Sequence, residues 1–302
     1  MTMTNNTMTA AKSRNFDAQE QSRKGRQKRK ALSGISYIIL VFGVLLILLP
    51  MYLTIVTALK SPAETAKNFF ALPTSLYLDN FNQVIHKANF FYFIKNSLYI
   101  TFFSLLGIAF IVPLVSYSVA RNMDRTYYKA IYILFVSGAF VPFTILMVPQ
   151  IKLMSALNMM NANGLILLYW VYSLSEGLLL TVSFIQNGIP YELEEAAYID
   201  GAGILYTFVR IVYPMMKPII VSVIIMDTLW IWNDFQLPLL MLNASQKLWT
   251  LPLFQYNFQS KYTVAYNQAF AAFLLSMVPI MIFYLAAQKQ IVEGLTAGAV
   301  KE

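Results

Sequence analysis

Fourteen acidic side chains serve a chain of 302 residues, and four of them fall within the string ELEEAAYIDGAG at 192–203. Three more, Glu176, Asp227 and Asp234, sit in or beside long apolar runs. The only histidine is His86 and there is no cysteine. Thiolate catalysis, disulfides and cysteine-held metal sites are therefore excluded, and one histidine cannot build a zinc site. The chain carries no His-Glu-x-x-His, Gly-x-Ser-x-Gly or Ser-x-x-Lys pattern and no Gly-x4-Gly-Lys-Ser/Thr phosphate loop, so hydrolysis of ATP by that loop is also excluded. What remains is the chemistry of contact. Carboxylates at 192–200 can start a helix or meet a partner. Carboxylates inside apolar runs mark a wet path or bond a neighbouring helix. Trp230, Trp232 and Phe235 offer flat faces that stack on sugars or pack against other helices.

The elements that must position these groups are set by composition. Hydrophobic residues make up 58% of the chain and charged ones 12%, against roughly 45–50% and 25% in soluble domains. There is too little polar material to cover a soluble surface, and the reading is an integral membrane protein. Residues 1–34 hold eight Lys and Arg, six of them in RKGRQKRK. They read as a disordered basic tail, a topogenic lipid-facing anchor rather than a nucleic-acid site. Residues 35–59 are 25 uncharged positions, about 37 Å as a helix, enough to cross a ~30 Å hydrocarbon core. Five further spans are expected at 97–120, 130–150, 164–185, 219–242 and 270–287, the third and fifth weakened by Pro142, Pro149, Asp227, Asp234 and Pro238. Continuous apolar runs argue for helices, not for a membrane barrel. Six spans put both termini on one side. With the tail in the cytoplasm, that side holds 15 of the 22 Lys and Arg, as the positive-inside rule requires. Residues 186–218 then form a cytoplasmic loop between spans four and five, and 288–302 a cytoplasmic tail.

Within that loop, Pro190 suits a helix start, and Glu192, Glu194 and Glu195 favour its positive end. Ala196 and Ala197 present a small face. Asp200-Gly201 provides a stop or turn, and a second helical stretch at 204–213 leads to Pro214 and Pro218 at the membrane. On physics alone this helix–turn–helix is either a surface loop capping two spans or a docking knob for a cytoplasmic partner.

Resemblance adds to this reading. Glu195-Ala196-Ala197, three residues, Gly201, nine residues, then Ile211-x-Tyr213-Pro214 resembles the EAA signature of ABC-importer permeases, which usually has Leu where this chain has Tyr213. The strings NSLYIT (96–101), YSVARN (117–122), WIWNDFQLPLL (230–240) and GLTAGAVK (294–301) resemble motifs of the carbohydrate permeases of that superfamily. The chain from 35 onward is most similar to the MalG-like, six-helix member of a sugar-importer pair. The resemblance implies an all-α fold of the type I importer kind. It implies an ATPase-coupling helix at Glu194, Glu195, Ala196, Ala197, Asp200 and Gly201, continued by Ile211 and Pro214. It further implies a C-terminal stretch that inserts toward the ATPase interface. The carboxylates and polar or aromatic groups within the spans themselves suggest a substrate path at Glu176, Asp227, Trp230, Asn233 and Asp234. The implied partners are a second, MalF-like permease, two ABC ATPase subunits, an extracytoplasmic sugar-binding protein and the bilayer of the cytoplasmic membrane. The chain itself binds no cofactor or metal on this reading; ATP and Mg are used by the ATPase. A permease for peptides or ions, or a polytopic membrane enzyme, is the rival class.

Overall fold

The computed structural model describes residues 36–87, 89–255, 258 and 265–299, with position 87 and positions 290–299 described in backbone alone. The basic tail and positions 300–301 of the C-terminal motif lie outside the described residues. Among the described residues there is no strand.

Among the described residues four helices are long and apolar enough to cross a membrane unbroken: α1 (Ser36–Ala58), then, after the short helices α2 (Pro62–Lys67) and α3 (Asp79–Asn82), α4 (Phe90–Arg121), and further on α7 (Ala162–Gly188) and α14 (Tyr266–Ala299). The third expected span is not one rod. It consists of α5 (Thr126–Gly138) and α6 (Phe143–Ala156), bent by 109° at the break before α6. Pro142 caps α6, and the residue before a proline is driven out of helical geometry, so the bend falls there. The fifth expected span is also divided. After the short loop helix α8 (Glu192–Ile199), the segment α9 (Ile204–Thr207), a π turn (Phe208–Val212) and α10 (Tyr213–Met215) meet α11 (Lys217–Asn233) at 71°. Pro218 occupies the first turn of α11, where its missing N–H costs nothing. The helix then stops at Asn233 and resumes as α12 (Gln236–Leu242). Pro238 has no N–H to offer the carbonyl of residue 234, so the helical bond that would help bridge this break is missing. The short α13 (Leu251–Gln255) follows.

The core sits where α4 packs along α7, the most extensive pairing in the molecule, with α11 crossing both. Gly107 lets the Trp170 ring lie on α4, where its Nε1 donates to the Ser104 carbonyl at 3.0 Å. Toward the C-terminal ends of α4 and α7 a second cluster joins Tyr117, Val182, Ile185, Phe208 and Val212. By contrast α1 buries none of its spanning window. It is held at its C-terminal end, where Asn80 and Asn267 donate to the carbonyls of Thr57, Ala58 and Lys60 at 2.7–2.9 Å.

Candidate functional site

Two sites emerge, both built on α7 and α11. The first is the loop that joins α7 to α11. Glu192, Glu194 and Glu195 fall in the first turn of α8. Pro190 stands one residue outside the helix, ahead of the cap residue Tyr191. At the other end, the N–H of Gly201 donates to the Tyr198 carbonyl (3.0 Å) and that of Ala202 to the Ala197 carbonyl (2.9 Å). This paired pattern requires a left-handed residue just past the helix, and Gly201 has φ +84°. Gly203 is extended, and α9 starts beside it. An open notch of ≈ 670 Å³ lies between the two limbs, lined in part by Ala196, Ala197, Asp200, Gly201 and Ile211. Leu193, Ile199, Ile204, Leu205 and Tyr206 are exposed around it, Ile199 to 85%. An apolar surface of this kind is unusual for a solvated turn. Glu195 is exposed beside the notch, and Pro214 is exposed in α10.

Glu194 does not share that surface. Expected among the coupling residues that meet a partner, its side chain is instead wholly buried and forms an ion pair with Arg121 at 2.7 Å. Its other carboxylate oxygen accepts from Tyr117 Oη at 2.7 Å. Neighbouring helix positions point about 100° apart, so one glutamate of the run turns inward while the others face water. Tyr213, which stands where the resembling family usually has Leu, donates its hydroxyl to the Ala109 carbonyl at 3.1 Å. That carbonyl is the one Pro113, inside α4, leaves without its helical donor.

The second site is a recess of ≈ 340 Å³ held in the bend between α5 and α6 and closed by α7, α11 and α12. Glu176, Trp230 and Asp234 line it together, with Tyr172, Ser175 and Gln236; no Lys or Arg is among its lining residues. Trp230 stands edge-on to Tyr169 and Tyr172, with ring centroids 5.3 and 5.9 Å away. Asp234 sits at the break between α11 and α12. One oxygen accepts from Tyr169 Oη (2.9 Å), and the other from the N–H groups of Gln236 (2.9 Å) and Leu237 (3.4 Å), which restarts the helix.

The remaining expected path residues lie elsewhere. Asp227 is buried against α7, accepting from Ser173 Oγ at 2.6 Å. Asn233 is exposed and donates back to the Leu229 carbonyl of its own helix. Trp232 is buried toward α14, its Nε1 3.4 Å from the Ser276 carbonyl, so it cannot stack on a solute in the recess. Sequence reasoning named Glu176 but missed Tyr169, Tyr172 and Ser173, which form a polar stripe with it on α7. Its spacing of i, i+3, i+4, i+7 was the signal that could have found it. It also missed Arg121 as the partner of Glu194.

A helical bundle of apolar spans, two of them bent, with a polar recess at the α5–α6 bend and a structured loop between α7 and α11, has the build of a multi-pass membrane permease. Residues 114–296 match the family described as binding-protein-dependent transport system inner membrane component, and the chain belongs to that family, on the carbohydrate-permease side of the ABC transporters. It is 41% identical to the multiple sugar-binding transport system permease protein MsmG of Streptococcus mutans, over 88% of this chain and 96% of that one. It is 33% identical to the probable starch degradation products transport system permease protein AmyC of Thermoanaerobacterium thermosulfurigenes, over 88% and 97%. It is 32% identical to the melibiose/raffinose/stachyose import permease protein MelC of Bacillus subtilis, over 84% and 91%. The fold matches a chain in the crystal structure of a bacterial ABC transporter involved in the import of the acidic polysaccharide alginate, with a TM-score of 0.73 at 17% identity, covering 86% of this chain and 96% of that one. The protein is a membrane transport subunit, not an enzyme.

Proposed function

We propose that this chain is one of two permease subunits of an ATP-driven importer for a neutral di- to tetrasaccharide, and that it is moved through the turn between α8 and α9. The observation that carries this reading is that the loop and the recess share two helices. α7 runs from Glu176 and Tyr172 at the recess down to Gly188 at the loop, and α11 runs from Lys217 at the loop up to Trp230 at the recess. Twelve residues separate Glu176 from Gly188 and thirteen separate Lys217 from Trp230, roughly 18–20 Å of helix. A displacement at the loop therefore reaches the recess without leaving those helices.

Seating an ATPase subunit on the loop rests on the notch at Ala196, Ala197 and Gly201 and the apolar side chains around it. Ion pairs at such an exposed joint contribute only ~0–1 kcal/mol, so shape decides the fit. ATP and Mg belong to those ATPase partners. A second, MalF-like permease and an extracytoplasmic binding protein complete the system. Both termini lie in the cytoplasm on this reading, in line with the distribution of Lys and Arg.

A neutral sugar suits a recess that offers carboxylates, amide and hydroxyl groups and the rings of Phe143, Tyr172 and Trp230, but no cation. A strongly anionic solute would normally be met by Lys or Arg. The relatives named for raffinose, stachyose and starch degradation products point the same way. The test is the reconstituted complex with its binding protein, assayed for solute-stimulated ATPase activity. Stimulation by di- to tetrasaccharides is the expected result. Stimulation only by peptides, amino acids or inorganic ions overturns the assignment.

A further inference from the structure

The loop helix α8 is poorly attached by its own backbone. It has eight residues, about 12 Å or two turns, well below the ~12–15 residues at which an isolated helix holds itself together. Ile189 is extended on one side of it, and Gly201 and Gly203 interrupt the helix on the other. A push on such an element would tilt it between its two joints before it moved α7 or α11.

A third attachment bypasses both joints. Glu194 takes the Nε and Nη2 atoms of Arg121 at 2.8 and 2.7 Å on one oxygen and the Tyr117 hydroxyl at 2.7 Å on the other. The Tyr117 hydroxyl is also 3.3 Å from that of Tyr198, in the next turn of α8. Arg121 Nη2 reaches back over the first joint to the Ile189 carbonyl at 2.9 Å, and the guanidinium lies 5.5 Å from the centre of the Tyr191 ring. Arg121 is the last residue of α4. Past the second joint, Tyr213 bonds Ala109 of the same helix. Ala109, Tyr117 and Arg121 all belong to α4, so both limbs of the loop are tied to that one helix.

Such a set of buried contacts is weak evidence for stability, because removing both charges from water offsets most of their attraction. What it fixes is position. From this geometry we infer that Tyr117, Arg121, Glu194 and Tyr198 form a clasp that makes the loop helix and the inner end of α4 one rigid body, so that motion imposed on the loop is delivered to α4. Glu194 is then a positioning residue and not a contact for the ATPase, whereas Glu195 stays at the surface. Because α4 packs along α7 and against α11, the stroke enters the core through all three helices at once.

This inference rests on the coupling role given to the loop, and the experiment separates the two. The full importer is reconstituted in proteoliposomes, and sugar taken up per ATP hydrolysed is measured for Arg121→Met/Glu194→Met, for Tyr117→Phe and for Gly201→Asp. Replacing both charges by apolar side chains removes the directional tie without stranding one charge. The clasp predicts an assembled complex in which the double variant retains ATPase activity and its uptake per ATP falls about tenfold. Tyr117→Phe, which leaves the ion pair in place, gives a smaller loss of the same ratio, about two- to threefold. A double variant with the wild-type ratio, beside an uncoupled Gly201→Asp, overturns the clasp and leaves the docking surface standing. Wild-type ratios in both overturn the docking surface as well. Should the double variant fail to assemble, Tyr117→Phe decides: a lowered ratio supports the clasp, and an unchanged ratio ends it.

Discussion

Gly201 gives the sharpest separation between the folding of this loop and its use. Its φ of +84° lies in the left-handed region, and a Cβ built on it meets nothing within 4 Å. Inside this chain, then, a side chain at 201 costs only backbone strain. For alanine that is about 1–2 kcal/mol, enough to lower the share of correctly turned loop by roughly 5–30-fold. Asparagine tolerates the same region, so Gly201→Asn keeps the turn with little strain while still adding a Cβ and an amide to the notch surface. If the notch receives a closely fitted partner, Gly201→Asn and Gly201→Asp both lower uptake at least tenfold at normal membrane abundance. Gly201→Ala suffers from strain and obstruction together. The assay is sugar uptake normalised to membrane abundance, with co-purification of the ATPase subunits as a second readout. Normal uptake by Gly201→Asn, alongside impaired Gly201→Ala, would refute the reasoning, for the glycine would then serve backbone conformation alone.

Two further outcomes follow from the same geometry. Tyr213→Phe strands the Ala109 carbonyl and should cost about 1–2 kcal/mol, read as a fall of roughly 2–5 °C in the unfolding midpoint in detergent. Adding Pro113→Ala restores the helical donor and should recover most of that loss; a strictly additive pair of effects would show that the two residues do not share the carbonyl. For orientation, the absence of cysteine lets single cysteines report sidedness, with Ser75→Cys labelled by an impermeant reagent from outside and Asp124→Cys only after permeabilisation. The reverse pattern would invert the topology.

The unbroken spans were legible because a run of apolar residues longer than the bilayer needs no tertiary information. The bends were half legible. Pro142 and Pro238 announced that the third and fifth spans were weak, but the angle at each break depends on what packs beside it. The loop turn was legible from Asp200-Gly201, since few residues other than glycine end a helix in that geometry. Which glutamate turns inward was not. Glu192, Glu194 and Glu195 share one short helix, and only the nearness of Arg121, 73 positions away in sequence, distinguishes them. A trace of it was present all the same: Tyr117 and Arg121 stand four apart at the inner end of a span and so share a face. The pairing of Trp230 with Trp232 as one aromatic site was avoidable. Positions two apart on a helix point to nearly opposite sides, and the structure puts one at the recess and the other against α14.

The bond from Tyr213 to the Ala109 carbonyl carries a consequence for descent. A proline at 113 is tolerable where a hydroxyl arrives from position 213, and a hydroxyl at 213 gains a partner where a proline has bared that carbonyl. Either substitution alone leaves a polar group short of a partner in a setting with little water to replace it. Lineages that carry leucine at 213 should therefore carry a residue with an N–H at 113, and the two columns, a hundred positions apart, should change hands together.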